Sequence, residues 1–301
     1  MKILAIGGTY FLGKAFVELV HNECELTVLN RGNRALSGEK YKNVEQIICD
    51  RHDKNKLSEL KDKDFDVVVD FCAYNEGDIE TVIRALDYNI RQYIFISTCD
   101  VYKRGLGNIQ DEDSPFEERN FGGEAGAYIT GKVALEREVK KCADYGIHYT
   151  SIRPAFIYGP GNYAPRESMF FNWIANVGQI IYPKDSDGHF QMVYVEDVAN
   201  LIFDCCMDEA AFDSAFKICG GAILTYDCFA KALEKAVDIP FERIEVSNDM
   251  IQEKAIPLPF PISLYESVTF SDTKIKSRGI RYTSLEDGLR KAFEYYRENE
   301  L

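Results

Sequence analysis

The chain has 301 residues, 46% hydrophobic and 28% charged, the composition of an ordinary globular protein of one large domain or a domain with a smaller lobe. Its formal net charge of −14 repels a phosphate backbone and so disfavours non-specific nucleic-acid binding. No apolar run approaches the length of a membrane span, and the short apolar run after Lys2 is too brief for a secretory signal.

Taken in order, Ile3-Leu4-Ala5-Ile6 is an unbroken apolar run, as expected of a strand buried on both faces. Gly7 and Gly8 stop it, and a helical pattern begins within Leu12-Gly13-Lys14-Ala15-Phe16-Val17. A strand, a glycine turn and a helix start put backbone N–H groups and a positive helix end where a pyrophosphate can sit. Further strands are predicted at 25–30, 44–49, 65–71, 93–97 and 147–152, with helices at 78–86 and 127–145 between them. Such alternation implies crossovers and a parallel sheet covered on both faces. Beyond residue 153 the rhythm changes: Pro154, Pro160, Gly161 and Pro165 crowd one stretch, and Pro257, Pro259 and Pro261 mark an extended one. Helices are predicted at 196–206, at 225–237 and from Ser284 onward. The expected architecture is α/β: a dinucleotide-binding domain at 1–160 and a smaller, interleaved lobe at 161–301. A segment near 190–208 returns to the first domain. The nine cysteines show no CxxC pairing and no metal-ligand spacing, and several (Cys49, Cys72, Cys219) lie in apolar runs. They read as buried, reduced thiols of a cytoplasmic protein, with no metal site expected.

Three places carry chemistry. In an adenosine-binding sheet the residue ending strand two selects the cofactor: a carboxylate accepts from a ribose 2′-OH, an arginine pairs with a 2′-phosphate. Here Asn30-Arg31-Gly32-Asn33-Arg34 holds no carboxylate, so Arg31 is the expected phosphate clamp, and Asp50, ending strand three, an adenine contact. Strand five ends in Ser97-Thr98, where a parallel sheet presents side chains to a ligand crevice. Thirty residues on, Tyr128 and Lys132 stand at i and i+4 on one helical face. A phenol is a poor base at neutral pH, but a nearby ammonium favours its phenolate, so Tyr128 can handle the proton of a hydroxyl while a hydride moves. Thr98 would hold the substrate oxygen, and Lys132 would also bind ribose hydroxyls.

These residues resemble the extended short-chain dehydrogenase/reductases, the NAD(P)-dependent epimerase/dehydratase family. Gly7-Gly8 to Gly13 matches the family's Gly-x-x-Gly-x-x-Gly turn except at its middle position, which is Tyr10; Ser97-Thr98-Cys99-Asp100-Val101-Tyr102 matches its Ser-Ser/Thr-x-x-Val-Tyr segment, and Tyr128 with Lys132 its catalytic pair. Arg153-Pro154 to Gly159-Pro160-Gly161 is similar to its Arg-Pro…Gly-Pro-Gly stretch, and Gly-Gly-Thr-x-Phe-Leu-Gly with Asn-Arg-Gly looks closest to an atypical branch that includes chloroplast stem-loop-binding-like proteins. The resemblance implies a doubly wound Rossmann-type parallel sheet with a C-terminal substrate-binding lobe. It further implies an oxidoreductase or epimerase acting at a secondary alcohol or ketone, with Thr98, Tyr128 and Lys132 catalytic. The implied cofactor contacts are Gly7, Thr9, Tyr10, Phe11, Leu12, Gly13, Asn30, Arg31, Asp50, Lys132 and Pro154. NADP(H) is the preferred cofactor and NAD(H) the alternative. The expected partner is a small hydroxyl or keto substrate, a sugar derivative among the candidates, with a homodimer left open.

The departures shape this expectation. Family dehydratases carry Asp-Glu after the Thr, whereas here the pair is Cys99-Asp100, which argues against 4,6-dehydration. Sugar-nucleotide enzymes open Arg-Asp-Phe-Ile-His-Val-Asp-Asp with an arginine that grips the diphosphate; Phe190-Gln191-Met192-Val193-Tyr194-Val195-Glu196-Asp197 lacks it. His189, Arg166 and Lys184 are the candidate substitutes. The competing reading is a non-catalytic nucleotide- or RNA-binding regulatory protein on the same fold, opposed by the charge of −14 and the intact Tyr128 and Lys132.

Overall fold

The branched apolar runs pair side by side in an order that buries them. The computed structural model describes residues 1–105 and 109–301. Its first half runs β1 (Lys2–Ile6), α1 (Phe11–Val20), β2 (Glu25–Asn30), β3 (Glu45–Ile48), α2 (Lys54–Ser58), β4 (Val67–Asp70), α3 (Asp78–Ala85), β5 (Gln92–Ile96), α4 (Gly123–Glu138) and β6 (His148–Pro154). There follow β7 (Phe156–Tyr158), α5 (Glu167–Val177), β8 (Gln179–Pro183), β9 (Met192–Tyr194), α6 (Val195–Asp204), β10 (Ser214–Ile218), α7 (Tyr226–Ala236), β11 (Glu242–Val246), α8 (Asn248–Glu253), α9 (Thr273–Lys276) and α10 (Leu285–Asn299).

Seven strands form one sheet in the order β10-β6-β5-β4-β1-β2-β3, every neighbouring pair parallel. The fold is the expected doubly wound α/β sheet. Alternation along each strand sorts side chains between its faces. Leu4, Ile6, Val68, Tyr93 and Phe95 share one core with Ile79, Val82 and Ile83 of α3 and Leu135 of α4. Ala5 and Val28 point the other way, toward Val17 of α1; a Cβ on Gly8 would lie within 3.4 Å of all three. The helix predicted at 127–145 begins earlier, at Gly123, and tightens into a 3₁₀ turn at Val139–Tyr145. Gly122 and Gly123, both with positive φ, lead the chain into this helix.

The chain runs outward from β1 to β3, then crosses back to β4 and outward again to β10. Its direction reverses between β1 and β4, and ligands of open α/β sheets bind outside the carboxyl ends of strands at such a point.

Two compact units interleave in sequence. One comprises Met1–Lys103, Ser114–Pro154 and Val198–Ile218; the other Arg104–Asp113, Ala155–Asp197 and Cys219–Leu301. The second has two parallel strand pairs, β7 with β9 and β8 with β11. Its core includes an aromatic cluster in which Phe190 stacks on Phe260, with ring centroids 4.0 Å apart, beside Tyr226 and Phe229. All nine cysteines are free thiols, five of them buried and Cys228 exposed. Among the described residues no cluster of His, Cys, Asp or Glu could hold a metal, and no helix is long and apolar enough to cross a membrane.

Buried ion pairs brace the sheet unit. Arg51 makes a two-pronged contact with Asp70 at 2.9 and 2.8 Å, and Tyr93 donates its hydroxyl to the same carboxylate at 2.5 Å. Arg153 grips Glu136 from Nε and Nη2 at 2.8 and 2.7 Å, with Ser151 donating at 2.6 Å. Burial alone would raise the pKa of both acids. For Asp70 the Arg51 charge, and for Glu136 the Arg153 hydrogen bonds and charge, outweigh it and hold both below the ordinary carboxylate range.

Removing one member strands a buried charge, so Asp70→Ala is expected to cost about 3–5 kcal/mol in urea unfolding, and Asp70→Ala with Arg51→Met to recover much of it. A pH series of the same measurement has a defined sign. Both folded-state pKa values are depressed, so the stability they contribute is complete above the ordinary values of 3.8 and 4.5 and is lost as pH falls through the folded ones. The stability difference between wild type and Asp70→Ala should hold from neutrality down to about pH 5 and then shrink; a difference that grows on acidification contradicts the assignment.

Candidate active site

The glycine turn sits at the reversal point. Gly7 has φ +87° and donates its N–H to the Leu29 carbonyl at 2.9 Å. A Cβ there would come within 3.1 Å of Cys72 Sγ, just beyond β4, and a Cβ on Gly13 would run into the Gly7 carbonyl oxygen. The first turn of α1 therefore rests directly on the backbone of the glycine turn. Tyr10 stands at the N-cap with no side-chain capping bond, and Phe11 takes φ +41°, a left-handed conformation that a bulky residue adopts only under local constraint. Thr9 is half-buried and Leu12 buried. A close backbone approach beneath a ten-residue helix's N-terminus fits the pyrophosphate of a dinucleotide.

At the end of β2, Asn30 Oδ1 accepts from the Gly32 N–H at 2.7 Å, and Gly32 at φ +83° reverses the chain. Arg31 and Arg34 are exposed on the loop that follows. Asp50, exposed beyond β3, accepts from the backbone and ring of His52 at 2.9 and 3.1 Å. These hydrogen bonds, backbone first, lower its pKa, and the Arg31 charge adds to the effect.

The segment after β4 is tied down at several points. Asp78 accepts the Tyr74 and Asn75 N–H groups at 2.8 and 3.0 Å, Glu138 accepts those of Gly77 and Glu80 at 2.6 and 2.7 Å, and Arg51 reaches the Asp78 carbonyl at 2.8 Å. Beneath it lies Lys132, 3% exposed, whose ammonium donates to the carbonyls of Ala73 at 2.9 Å and Ile96 at 2.7 Å. Burial lowers its pKa to about 8 against the pull of Asp70 and other charges. The ammonium is 4.8 Å from the centre of the Tyr74 ring and 5.8 Å from that of Tyr128. The two tyrosine rings lie 6.3 Å apart, both partly exposed. Gly131 lets α4 approach this closely, since a Cβ there would strike the Tyr74 carbonyl oxygen. Thr98, two residues past Ile96, caps the next turn by accepting the Asp100 N–H at 3.1 Å. The structure thus gathers Thr98, Tyr128, Lys132 and the glycine turn about the carboxyl ends of β1, β4 and β5. Arg31, Asn30 and Asp50 lie at the ends of β2 and β3, and Pro154 is buried at the end of β6, beside β10.

Cys99 is buried and its thiol donates to the Arg153 carbonyl at 3.1 Å, so no acid stands directly after Thr98. In the second unit, Phe190 lies within the aromatic cluster, and Gln191 exchanges two hydrogen bonds with the Phe270 backbone at 3.1 and 2.7 Å. Of the candidate substitutes, His189 pairs with Thr269 Oγ1 at 2.6 Å, Arg166 lies over the Phe156 ring at 5.0 Å, and Lys184 is exposed. Tyr74, Gly131 and Arg34 are neighbours of the site that the sequence reading did not single out. A glycine inside an otherwise helical Tyr-x-x-x-Lys was the available signal for Gly131.

The NAD dependent epimerase/dehydratase family model matches residues 3–214, and the chain belongs to that family. It shares 29% identity with the chloroplast stem-loop binding protein of 41 kDa b from Arabidopsis thaliana, over 275 residues that cover 85% of this chain and 69% of that one. Its fold is similar to that of UDP-glucose 4-epimerase from Thermus thermophilus in complex with NAD, at 19% identity and a TM-score of 0.75, covering 99% of this chain and 100% of that one. It is also similar to UDP-N-acetylglucosamine 4-epimerase from Methanobrevibacter ruminantium, at 18% identity and a TM-score of 0.77, covering 99% and 98%.

Lys132 has a structural duty that its sequence spacing does not announce. Lys132→Met keeps the stem but leaves the Ala73 and Ile96 carbonyls without their donor, and should lower unfolding stability by about 1–3 kcal/mol. A mutant as stable as wild type would show that the two hydrogen bonds carry no net weight.

Proposed function

We propose that this family member is an NAD(P)-dependent epimerase or reductase that works at a secondary alcohol or ketone of a small molecule, a sugar derivative in the first instance. Supporting this most directly is the placement of Tyr128, partly exposed on α4, above the buried ammonium of Lys132, which is itself bonded to the strand end that carries Thr98. A nicotinamide dinucleotide, when bound, supplies the hydride acceptor or donor. Gly7 and Gly13 let the turn and α1 pack closely, and the N-terminus of α1, aimed at the pyrophosphate, offsets its charge. Thr98 orients the substrate oxygen, and Tyr128 holds or releases its proton at the phenol oxygen. Lys132 favours the phenolate through its positive charge and binds ribose hydroxyls. Arg31, on a strand end without a carboxylate, favours NADP(H).

Two observations narrow the chemistry. The buried Cys99 thiol cannot supply the acid that water elimination needs, so nucleotide-activated hexoses should yield no 4-keto-6-deoxy product. Phe190 and Gln191 are committed to aromatic packing and to the Phe270 backbone, which argues against a nucleoside diphosphate as the main handle of the substrate. The second reading, an RNA-binding protein, draws on the name of the Arabidopsis relative. The charge of −14 opposes it, and salt-sensitive binding to a stem-loop RNA without any nicotinamide nucleotide binding would favour it.

Tyr128→Phe should lose about 10²- to 10⁴-fold in turnover with nucleotide affinity near wild type, because only the proton-handling hydroxyl is removed. Thr98→Val should lower turnover with little change in nucleotide binding. Absorbance assays on a panel of sugars and hydroxy-ketones, with product stereochemistry, would find the substrate; a Tyr128→Phe enzyme retaining more than a few per cent of activity contradicts the proposal.

A further inference from the structure

The reading of Arg31 as a phosphate clamp leaves a second arginine on the same loop without a role, and the geometry around it is specific. The loop is anchored at both ends. Asn30 holds Gly32 at its start, and at Leu36 the Gln46 side chain exchanges two hydrogen bonds with the backbone, at 2.9 and 2.8 Å, while Leu36 itself is buried. Between these anchors Arg34 crosses to the glycine turn and places its guanidinium 3.9 Å from the centre of the Tyr10 ring, well within stacking distance. Among the described residues neither Arg31 nor Arg34 has an ion-pair partner within 4.0 Å. The two differ in surroundings. Arg31 acts electrostatically on Asp50, at the end of β3. Arg34 leans instead toward the N-cap of α1, where the pyrophosphate of a dinucleotide would lie.

We propose that Arg34, seated on Tyr10, is a second determinant of cofactor choice, closing with Arg31 on the 2′-phosphate of a phosphorylated dinucleotide. This rests on the dinucleotide reading of the glycine turn and deepens it. Tyr10 stands where a glycine usually opens the middle of the turn, and its ring gives the guanidinium a flat platform that limits its freedom before any ligand arrives. A guanidinium seated over a ring can present N–H groups at its edge, and these match phosphate oxygens in a two-pronged geometry that a lysine cannot reproduce. Two arginines on one short loop, approaching from the adenine side and the pyrophosphate side, would enclose a group attached to the ribose between them.

The test measures binding rather than turnover. Wild type, Arg31→Ala, Arg34→Ala, Arg34→Lys and Tyr10→Ala are titrated with NADPH, NADH, 2′,5′-ADP and 5′-ADP, with thermal unfolding to confirm that each variant is folded. Wild type should bind 2′,5′-ADP more tightly than 5′-ADP. Arg34→Ala should weaken NADPH and 2′,5′-ADP roughly tenfold to a hundredfold while changing NADH and 5′-ADP by less than about threefold, as for loss of one charged hydrogen-bonding partner. Tyr10→Ala should shift the same two ligands in the same direction by a smaller factor, and Arg34→Lys should restore only part of the loss. Equal weakening of all four ligands by Arg34→Ala, or none, overturns the role given to Arg34 and leaves the dinucleotide reading standing. A wild type that binds NADH and NADPH equally overturns the 2′-phosphate assignment for both arginines. A wild type that binds none of the four overturns the dinucleotide reading itself, and the role of Arg34 with it.

Discussion

A buried ammonium needs oxygen partners on every side that water has left, and Lys132 finds two of them in main-chain carbonyls. Those carbonyls belong to Ala73, just after β4, and Ile96, the last residue of β5. One side chain on α4 therefore clamps the exits of two adjacent strands. The clamp works only if α4 comes close, which is why Gly131 precedes it: any side chain there would collide with the Tyr74 carbonyl. Tyr128, one turn earlier, is carried to the strand ends by the same approach. The helix position that places a phenol beside the crevice is thus set by a requirement of stability, and the proposed acid–base pair shares its cation with the scaffold.

The other buried cations do related work. Arg51 binds Asp70 at the end of β4 and the Asp78 carbonyl at the start of α3, so it spans the loop that Lys132 holds from below. Arg153 joins Glu136 of α4 to β6 and reaches the Tyr102 hydroxyl at 2.6 Å. Lys132 and Lys217 are buried as well, but among the described residues so are seven carboxylates, and the surface of this chain of net charge −14 stays acidic. Arg31 and Arg34 lie exposed on it. Such a field discourages a long phosphate polymer but does not prevent a single phosphate from settling between two arginines at short range.

The sheet was legible because its central strands β1, β4 and β5 are buried on both faces and so appear as short, nearly unbroken apolar runs. The glycine turn was legible because only glycine tolerates what happens at positions 7 and 13. Ser214–Ile218 was not read as a strand: at the edge of the sheet, Ser-Ala-Phe-Lys-Ile carries a lysine whose burial nothing in its neighbours announces. The roles of Tyr74 and Arg34 depend on contacts across 54 and 24 residues of chain, with Tyr128 and Tyr10, which no local pattern encodes. The i, i+4 spacing of Tyr128 and Lys132 was visible, but not the depth of Lys132. Helical periodicity says which residues share a face, whereas burial depends on the partner that the face meets.

The same distinction separates fold from substrate. Solved sugar-nucleotide epimerases superpose on nearly all of this chain at under a fifth sequence identity, so the backbone plan survives when most side chains change. What this chain's version of the plan requires is glycines at the turn and a lysine beneath the strand ends. Positions 190 and 191 serve packing instead: a ring stacked 4.0 Å from Phe260 and an amide bonded to the Phe270 backbone. Converting Phe190 to arginine would place a charge inside an aromatic cluster, and converting Gln191 would release the segment it anchors, so neither position can take up anion binding by a single exchange. The stretch corresponding to the diphosphate grip of sugar-nucleotide enzymes is therefore built here as core.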